Sequence, residues 1–267
     1  MIRAAAVVRQ PSRPAEVLAI PMRRLLFWST LPLLLPQALW VRRRTPRFAA
    51  PAGAERGRVE APGSPDTSRA TGDAAPAPAL RLVGLGDSII AGVGATVAAE
   101  CLTAQFAREV SVRRGVAVDW RNIGRIGATT TRVLHDLSKR LPPQPADLVL
   151  VSVGVNDVTS LRRRTEWSGE LRALADVLAA HSPRATALFL GLPPMQRFPS
   201  LPTPLRNSLG MRARLFDETL AATLSGHPTA RHLPLPLEAS PAMFSGDGFH
   251  PSPAAYALIA GALADAL

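Results

Sequence analysis

Three residues that could together activate a nucleophile lie in two widely separated parts of this 267-residue chain. Ser88 is in the upstream part, directly after Gly86-Asp87, whereas Asp247 and His250 are three residues apart near the C-terminus. A serine hydroxyl is a weak nucleophile at neutral pH, so it requires an imidazole to remove its proton and a third group to orient that imidazole. A glycine-containing turn lets Asp247 reach one ring nitrogen of His250 while the other nitrogen faces the serine. This combination predicts the chemistry of a serine hydrolase.

Two further segments offer donors for a negatively charged tetrahedral intermediate, which preorganised N–H groups must stabilise. Asn156 follows a short apolar run, and its side-chain amide is a donor. Gly124 and Gly127 follow another predicted strand, and a glycine presents its backbone N–H without a side chain in the way. The residues alone leave the choice between these two glycines open.

With these residues in place, the sequence resembles the SGNH hydrolases, also called GDSL-type esterases and lipases, from Leu80 to the C-terminus. The resemblance rests on four blocks in the family's order, since any single short block would be weak evidence. The blocks are Gly86-Asp87-Ser88, Ile126-Gly127-Ala128-Thr129-Thr130, Gly154-Val155-Asn156-Asp157 and Asp247-Gly248-Phe249-His250-Pro251.

The resemblance implies a role for each matching residue. Ser88 is the nucleophile and a backbone oxyanion donor, and Gly127 rather than Gly124 supplies the second backbone donor. Asn156 supplies the side-chain donor, His250 is the base, and Asp247 orients it. Ile89 stands where the family name has leucine, which we interpret as a packing difference.

Each of these residues also has a simpler interpretation. Ser88 would ordinarily be a helix N-cap, and Asp247 a turn former. Asn156 is also suited to ending its strand in a turn. Asp87 and Asp157, beside the candidate residues, are expected to bind loop backbone.

The elements that must position these residues alternate between apolar runs and helix-like stretches. Strands are predicted at 80–85, 116–120, 148–153, 185–190 and 232–237. Helices are predicted at 99–114, 130–140, 166–180, 205–224 and 253–267. Such alternation favours a mainly parallel sheet covered on both faces. We therefore expect a three-layer α/β/α sandwich with a five-stranded, flavodoxin-like sheet, the fold that the resemblance also implies.

The N-terminal 80 residues differ in composition from the rest of the chain. Residues 25–41 form a 17-residue stretch without a charge, flanked by arginines, and the absence of small residues at its end favours an uncleaved anchor over a signal peptide. We predict that residues 1–44 are this basic and apolar segment, that 45–79 are a flexible linker, and that 80–267 are the hydrolase domain. Met22 is an alternative start to Met1. We expect membrane association or export through residues 25–41, with the bacterial cell envelope as the location. The segment is at the lower length limit for a span, so lying in the membrane interface is the alternative.

The remaining composition limits the partners and cofactors. Residues 1–80 hold 12 arginines and 5 acidic residues, so much of the net charge of +11 is N-terminal, and no nucleic-acid motif accompanies it. The single cysteine, Cys101, excludes an intramolecular disulfide and a cysteine metal cluster. Residues 161–164 are a basic run with two interpretations, attraction of an anionic head group and a solvated face.

Together these features predict a serine esterase that forms an acyl-enzyme on Ser88 and needs no metal or organic cofactor. The expected substrate is a small-molecule or lipid ester with a small to medium acyl chain; lysophospholipid, thioester and acetylated sugar remain options. Met195, Phe198 and Leu201 in a proline-rich loop are candidates for binding the acyl chain, and a packed surface loop is the alternative. The rival function is a non-catalytic binding protein on the same fold. Nucleotide binding is disfavoured because the Gly84–Ile89 segment lacks a third glycine.

Overall fold

The computed structural model describes residues 34–41, 43–44, 48–64, 79–235 and 240–267. The chain divides into two compact units, Met1–Arg44 and Thr45–Leu267. In the first unit, residues 34–41 and 43–44 are helical, and the Arg44 guanidinium lies 5.2 Å from the centre of the Trp40 ring. No helix within the described residues is long and apolar enough to cross a membrane. Residues 25–33 of the predicted anchor and the alternative start Met22 lie outside the described residues.

The second unit is built on one six-stranded sheet. Its strands are β1 (Arg56–Val59), β2 (Ala79–Gly86), β3 (Ala117–Gly124), β4 (Leu148–Ser152), β5 (Thr186–Leu190) and β6 (Ala230–Leu233). Their order across the sheet is β1-β3-β2-β4-β5-β6. All neighbouring pairs are parallel except β1 with β3.

The helices follow the strands along the chain. They are α1 (Leu102–Arg114), α2 (Thr130–Arg132), α3 (Val155–Thr159), α4 (Arg164–His181), α5 (Leu205–Leu224) and α6 (Pro253–Asp265). A π-helical turn at Val133–Leu137 and a 3-10 turn at Ser138–Arg140 continue α2, where the sequence predicted one regular helix. Helix α1 ends at Gly115 in a left-handed conformation, and Ser252 caps α6 by accepting from Ala255 N.

The helices cover both faces of the sheet. On one face, α1 and α6 pack against each other and against alternate strand residues such as Leu82, Leu150 and Leu188. On the other face lie α4 and α5, where the rings of Trp167 and Phe216 are 4.6 Å apart. The central strands are apolar on both sides because both sides are buried. The predicted three-layer α/β/α fold is confirmed.

The predicted sheet was one strand short, because Arg56–Val59 fell within the expected linker. This strand pairs antiparallel with β3, and Gly57 lies opposite Trp120. A Cβ on Gly57 would come within 2.6 Å of the Trp120 ring. Arg58 also contacts Asp119 at 3.1 Å. A short, arginine-rich segment carries no strand pattern of its own, so its structure depends on pairing with β3.

Replacing Gly57 with alanine is expected to weaken the attachment of β1, because the new methyl group would displace the buried Trp120 ring. Overpacking of this kind costs about 1–3 kcal/mol. The matched control is Gly169→Ala in α4, where no atom lies within 4 Å of the added methyl group. This control should stabilise the protein by up to about 1 kcal/mol, the helix propensity of alanine over glycine. Equal midpoints of urea unfolding for the two variants would contradict the role given to Gly57.

Candidate active site

The structure brings Ser88, His250 and Asp247 into one hydrogen-bonded chain. The His250 Nδ1 and Asp247 Oδ2 atoms are 2.6 Å apart, and His250 Nε2 lies 2.9 Å from Ser88 Oγ. An ionised carboxylate can only accept, so Nδ1 donates to Asp247 and Nε2 is left to accept the serine proton. Ser88 and His250 are 162 residues apart in sequence, and the fold alone makes them neighbours.

The turn at 245–250 holds the Asp247 carboxylate in a fixed position. Asp247 Oδ1 accepts from Ser245 Oγ and from the backbone N–H groups of Phe249 and His250, at 2.8 to 2.9 Å. Burial by itself would raise the pKa of Asp247, but hydrogen bonds from the His250 side chain and these backbone groups lower it to about 2. Asp247 is therefore ionised at neutral pH and can stabilise a protonated His250.

A second buried carboxylate, Asp87, lies immediately before Ser88. Its Oδ1 accepts from Ile89 N at 3.1 Å and from Ser152 Oγ at 2.9 Å, and these bonds fix the turn that carries Ser88 to the end of β4. Burial raises the pKa of Asp87 to about 6, although both hydrogen bonds and the nearby His250 oppose the rise. The expected contact of Asp87 with loop backbone is present, but the Ser152 contact had no signal in the sequence.

Helix α6 ties the serine turn to the histidine turn. The Tyr256 hydroxyl donates to Val93 O at 2.6 Å, and Val93 N donates to Ser88 O at 3.0 Å. Because α6 begins just after His250, this link couples the positions of the two residues that must share a proton. A lone tyrosine in an apolar helix gave no indication of this role.

Three donor groups belong to residues that line one cavity together with the Ser88 hydroxyl. The backbone N–H groups of Ser88 and Gly127 have no acceptor within the described residues. Asn156 Nδ2 donates one hydrogen to Ala128 O at 2.9 Å, which leaves its second hydrogen for a ligand. Gly127 has a φ of 75°, which favours glycine, whereas a Cβ on Gly124 would clash with Ala91 N. This geometry favours Gly127 as the backbone donor.

A cavity of about 190 Å³ opens onto Ser88. The polar side chains that line it are those of Asp87, Ser88, Asn156 and His250, together with the backbone of Gly127. Its other lining residues are apolar: Ile89, Leu102, Ile126, Val155, Leu190, Pro193, Pro194, Phe198, Leu235, Met243, Phe244, Phe249, Pro251 and Ile259. Every polar side chain in the lining is thus Ser88, His250, the donor Asn156 or Asp87, the residue before the serine.

Two of the three predicted acyl-binding residues do not line this cavity. Phe198 does, and its ring contacts Phe244 and Phe249 edge-on at 5.2 and 5.0 Å between ring centres. Met195 and Leu201 are buried instead, at 0% and 3% exposure, because the turn that carries Met195 packs against α5. Two other lining residues, Leu102 in α1 and Ile259 in α6, come from helices in which the sequence analysis placed no site residue.

The basic run at 161–164 makes contacts inside the domain. Arg162 donates to Glu170 at 2.8 Å, Arg163 lies 3.6 Å from Glu166, and Arg164 donates to Thr219 and to a carbonyl of α5. These contacts favour a structural role for Arg162 and Arg164, whereas Arg163 is a solvated surface residue. In the part of the chain that the structure describes, no three His, Cys, Asp or Glu side chains are grouped closely enough to hold a metal ion.

The raised pKa of Asp87 predicts how stability depends on pH. The Asp87 carboxyl holds its proton more tightly in the folded state than in the unfolded state. Its contribution to the free energy of unfolding is therefore fully present below about pH 4 and is lost as the pH rises through about 6. Replacing Asp87 with asparagine removes the buried charge, so the variant should gain about 3 kcal/mol relative to the parent between pH 4 and 7. Urea unfolding at a series of pH values measures this difference.

Asp247→Asn is the comparison for that experiment. The pKa of the Asp247 carboxyl in the parent is lowered rather than raised, so the stability that this carboxylate contributes is lost only as the pH falls toward about 2. At pH 7 this variant should therefore be less stable than the parent, because it lacks the ionised carboxylate that binds His250 and the backbone of its turn. If the free energies of unfolding of Asp87→Asn and the parent changed in parallel with pH, this would contradict a buried Asp87 with a raised pKa.

Comparisons with known proteins agree with this geometry. The model of the GDSL-like Lipase/Acylhydrolase family matches residues 85–258. A GDSL-like esterase of Mycobacterium tuberculosis is 29% identical over 200 residues, which are 70% of this chain and 63% of that protein. The chain thus spans less than two thirds of the length of this curated relative.

Solved structures share the fold at low sequence identity. The lipase Lip_vut3 from a goat rumen metagenome is 18% identical with a TM-score of 0.58, over 70% of this chain and 97% of that one. A family two carbohydrate esterase from Clostridium thermocellum, solved with cellohexaose, is 19% identical with a TM-score of 0.56. The match covers 72% of this chain and 65% of that one. The family match covers more than half of the chain and all four sequence blocks, so the chain belongs to the GDSL-like lipase/acylhydrolase family.

Proposed function

We propose that this protein is a serine ester hydrolase that forms an acyl-enzyme on Ser88. The observation that carries the proposal is the hydrogen-bonded chain from Asp247 through His250 to Ser88, which ends beside three available N–H donors. Nucleophile, base, orienting carboxylate and oxyanion donors are the full set that acyl transfer requires.

In the acylation step, Ser88 Oγ attacks the carbonyl carbon of the ester while its proton moves to His250 Nε2. The carbonyl oxygen becomes an oxyanion, which accepts from Ser88 N, Gly127 N and Asn156 Nδ2. Collapse of this intermediate breaks the bond to the alcohol oxygen, and His250 returns the proton to the departing alcohol. Asp247 stabilises the transient imidazolium and keeps Nε2 aimed at the serine.

Deacylation repeats these transfers with water as the nucleophile. His250 Nε2 takes a proton from the water as its oxygen attacks the acyl carbon. The second tetrahedral oxyanion is bound by the same three donors. Its collapse releases the carboxylic acid and returns the proton to Ser88 Oγ, which restores the starting state.

The cavity supports an ester with an apolar acyl group. Relatives on this fold include a lipase and a carbohydrate esterase, so the fold does not select the substrate. A sugar needs several hydrogen-bonding partners. The polar side chains that line this cavity are those of Ser88, His250, the oxyanion donor Asn156 and Asp87, which leaves no further polar side chain in the lining for a sugar. We therefore propose that the acyl chain enters the cavity and that the alcohol faces the solvent.

The size of the cavity supports a medium chain. An engineered apolar cavity of about 150 Å³ binds benzene, a six-carbon ligand, so a cavity of about 190 Å³ is suited to an acyl chain on the order of six carbons. Each methylene buried contributes about 0.8 kcal/mol, or roughly fourfold in kcat/KM. The specificity constant should thus rise steeply from acetyl esters and stop rising once the cavity is full.

Replacing Ser88 with alanine is expected to reduce kcat for p-nitrophenyl hexanoate by at least about a thousandfold, because the acyl-enzyme cannot form. Purified full-length protein and this variant are assayed side by side on esters of two to sixteen carbons. The thermal midpoint of the variant should match that of the parent, which shows that lost chemistry and not unfolding is measured. A parent with no turnover on any chain length would favour the rival binding-protein function.

Replacing Ile259, a buried residue that lines the cavity, with alanine enlarges the cavity and is expected to move the optimal acyl chain toward longer esters. The control is Leu263→Ala, one turn further along α6, which is equally buried but does not line the cavity. Both changes should lower stability by about 2–5 kcal/mol, but only the first should change the ratio of kcat/KM for decanoate over hexanoate. Identical ratios in the two variants would place the acyl chain elsewhere.

A further inference from the structure

One buried polar cluster beside the active site takes no part in the reaction described above. It consists of Asp157, Thr130 and Trp167, whose side chains are buried with 0% exposure. Asp157 Oδ2 accepts from Thr130 N at 3.0 Å and from Thr130 Oγ1 at 2.9 Å. Trp167 Nε1 donates to Thr130 Oγ1 at 2.8 Å. We refer to these three residues as the Asp157 clamp.

The clamp joins the two loops that carry the oxyanion donors. Gly127 is in the loop that follows β3, and Thr130, three residues later, begins α2. Asp157 is next to Asn156 in α3, the helix that follows β4. Strand β2, which leads to Ser88, lies between β3 and β4. The two donors therefore approach Ser88 from opposite sides, and no regular backbone pairing joins their loops.

Two further contacts strengthen the same connection. Asn156 Nδ2 donates to Ala128 O at 2.9 Å, so the donor amide is itself held by the Gly127 loop. A Cβ on Gly154, just before Asn156, would come within 3.2 Å of the Trp167 ring. Trp167 thus packs against the chain that leads to Asn156 while it binds Thr130.

The burial of Asp157 also has a purely structural explanation. Asp157 is in the first turn of α3, where an acidic residue stabilises a helix without any effect on catalysis. That explanation accounts for the carboxylate but not for its pairing with Thr130, which also engages Trp167 from α4. Complete burial and full pairing of these groups produce a rigid connection rather than a surface cap.

We propose that the Asp157 clamp sets the separation of the Gly127 and Asn156 donors, so that Thr130, Asp157 and Trp167 are positioning residues for the oxyanion hole. The inference rests on the ester hydrolysis proposed above. Donors that stabilise a developing charge must be preorganised, and a misplacement of about 1 Å can reduce the rate on the order of a hundredfold. Loss of the clamp should therefore weaken binding of the transition state more than binding of the substrate.

The test uses Thr130→Val in the full-length protein, which keeps the side-chain shape and removes the hydroxyl. We expect kcat for p-nitrophenyl hexanoate to fall roughly 10- to 100-fold, with KM within about twofold of the parent. The inhibition constant of a hexyl trifluoromethyl ketone, whose adduct with Ser88 carries an oxyanion, should rise by the same factor as kcat/KM falls. Thr130→Ser restores the hydroxyl and should keep most of the activity.

Two control variants separate positioning from general loss of stability. Thr103→Val is also a buried Thr-to-Val change, but Thr103 Oγ1 has no hydrogen-bond partner. Ser182→Ala removes a buried hydroxyl that accepts from Ala146 N at 2.9 Å, just before β4 at the opposite end of the sheet. The second control should lower the thermal midpoint, and both should leave kcat unchanged. Trp167→Phe, which removes the Nε1 donor together with part of the buried ring, is the replacement if Thr130→Val does not fold, and its kcat is compared with its thermal midpoint in the same way.

The outcomes distinguish the clamp from the proposed function. An active parent whose Thr130→Val variant has equal kcat and equal ketone affinity would reject the clamp alone. The same holds if Thr130→Val lowers only the thermal midpoint, as expected of Ser182→Ala. A parent that neither hydrolyses the hexanoate nor binds the ketone would reject the ester hydrolase itself.

Discussion

The parallel pairing of β3, β2 and β4 in one register is the constraint on which the site depends. Gly86 at the end of β2 pairs with Gly124 at the end of β3 and with Ser152 at the end of β4. Because these three strands end at the same level, the residues that follow them converge on one edge of the sheet. Ser88, Gly127 and Asn156 come within four residues of those ends, which leaves little freedom in where they lie. A slip of one residue in either pairing would move a donor away from the serine.

Buried carboxylates hold the segments that follow the strand ends, and their different environments give them different roles. Asp247 accepts three hydrogen bonds at one oxygen and one from His250 at the other, so its pKa falls and it carries charge where the reaction needs it. Asp87 and Asp157 have raised pKa values because burial outweighs their hydrogen bonds. These two residues hold loops in place, and the cost of burying them is tolerated near a site whose geometry must be fixed.

Much of this arrangement could be predicted from the sequence, because apolar runs mark buried parallel strands and small polar blocks follow them. Helix Leu205–Leu224 and the strand ends near Ser88 and Asn156 were predicted closely. Strand β1 was missed, since Arg56–Val59 becomes a strand only by pairing with β3. The cavity residues Leu102 and Ile259 look like ordinary core positions in a helix. Contacts such as Thr130 with Trp167 join distant segments through single atoms, and no local pattern reveals them.

If Ser88 carries the acyl group during turnover, mass spectrometry of the acid-quenched enzyme detects that group on the serine. During hydrolysis of p-nitrophenyl hexanoate, we expect a hexanoyl adduct that maps to Ser88, forms before steady state and then declines as substrate is exhausted. The adduct should be absent in Ser88→Ala and form far more slowly in His250→Ala. Rapid ester hydrolysis without any adduct on Ser88, or with the adduct on another residue, would show that Ser88 is not the nucleophile.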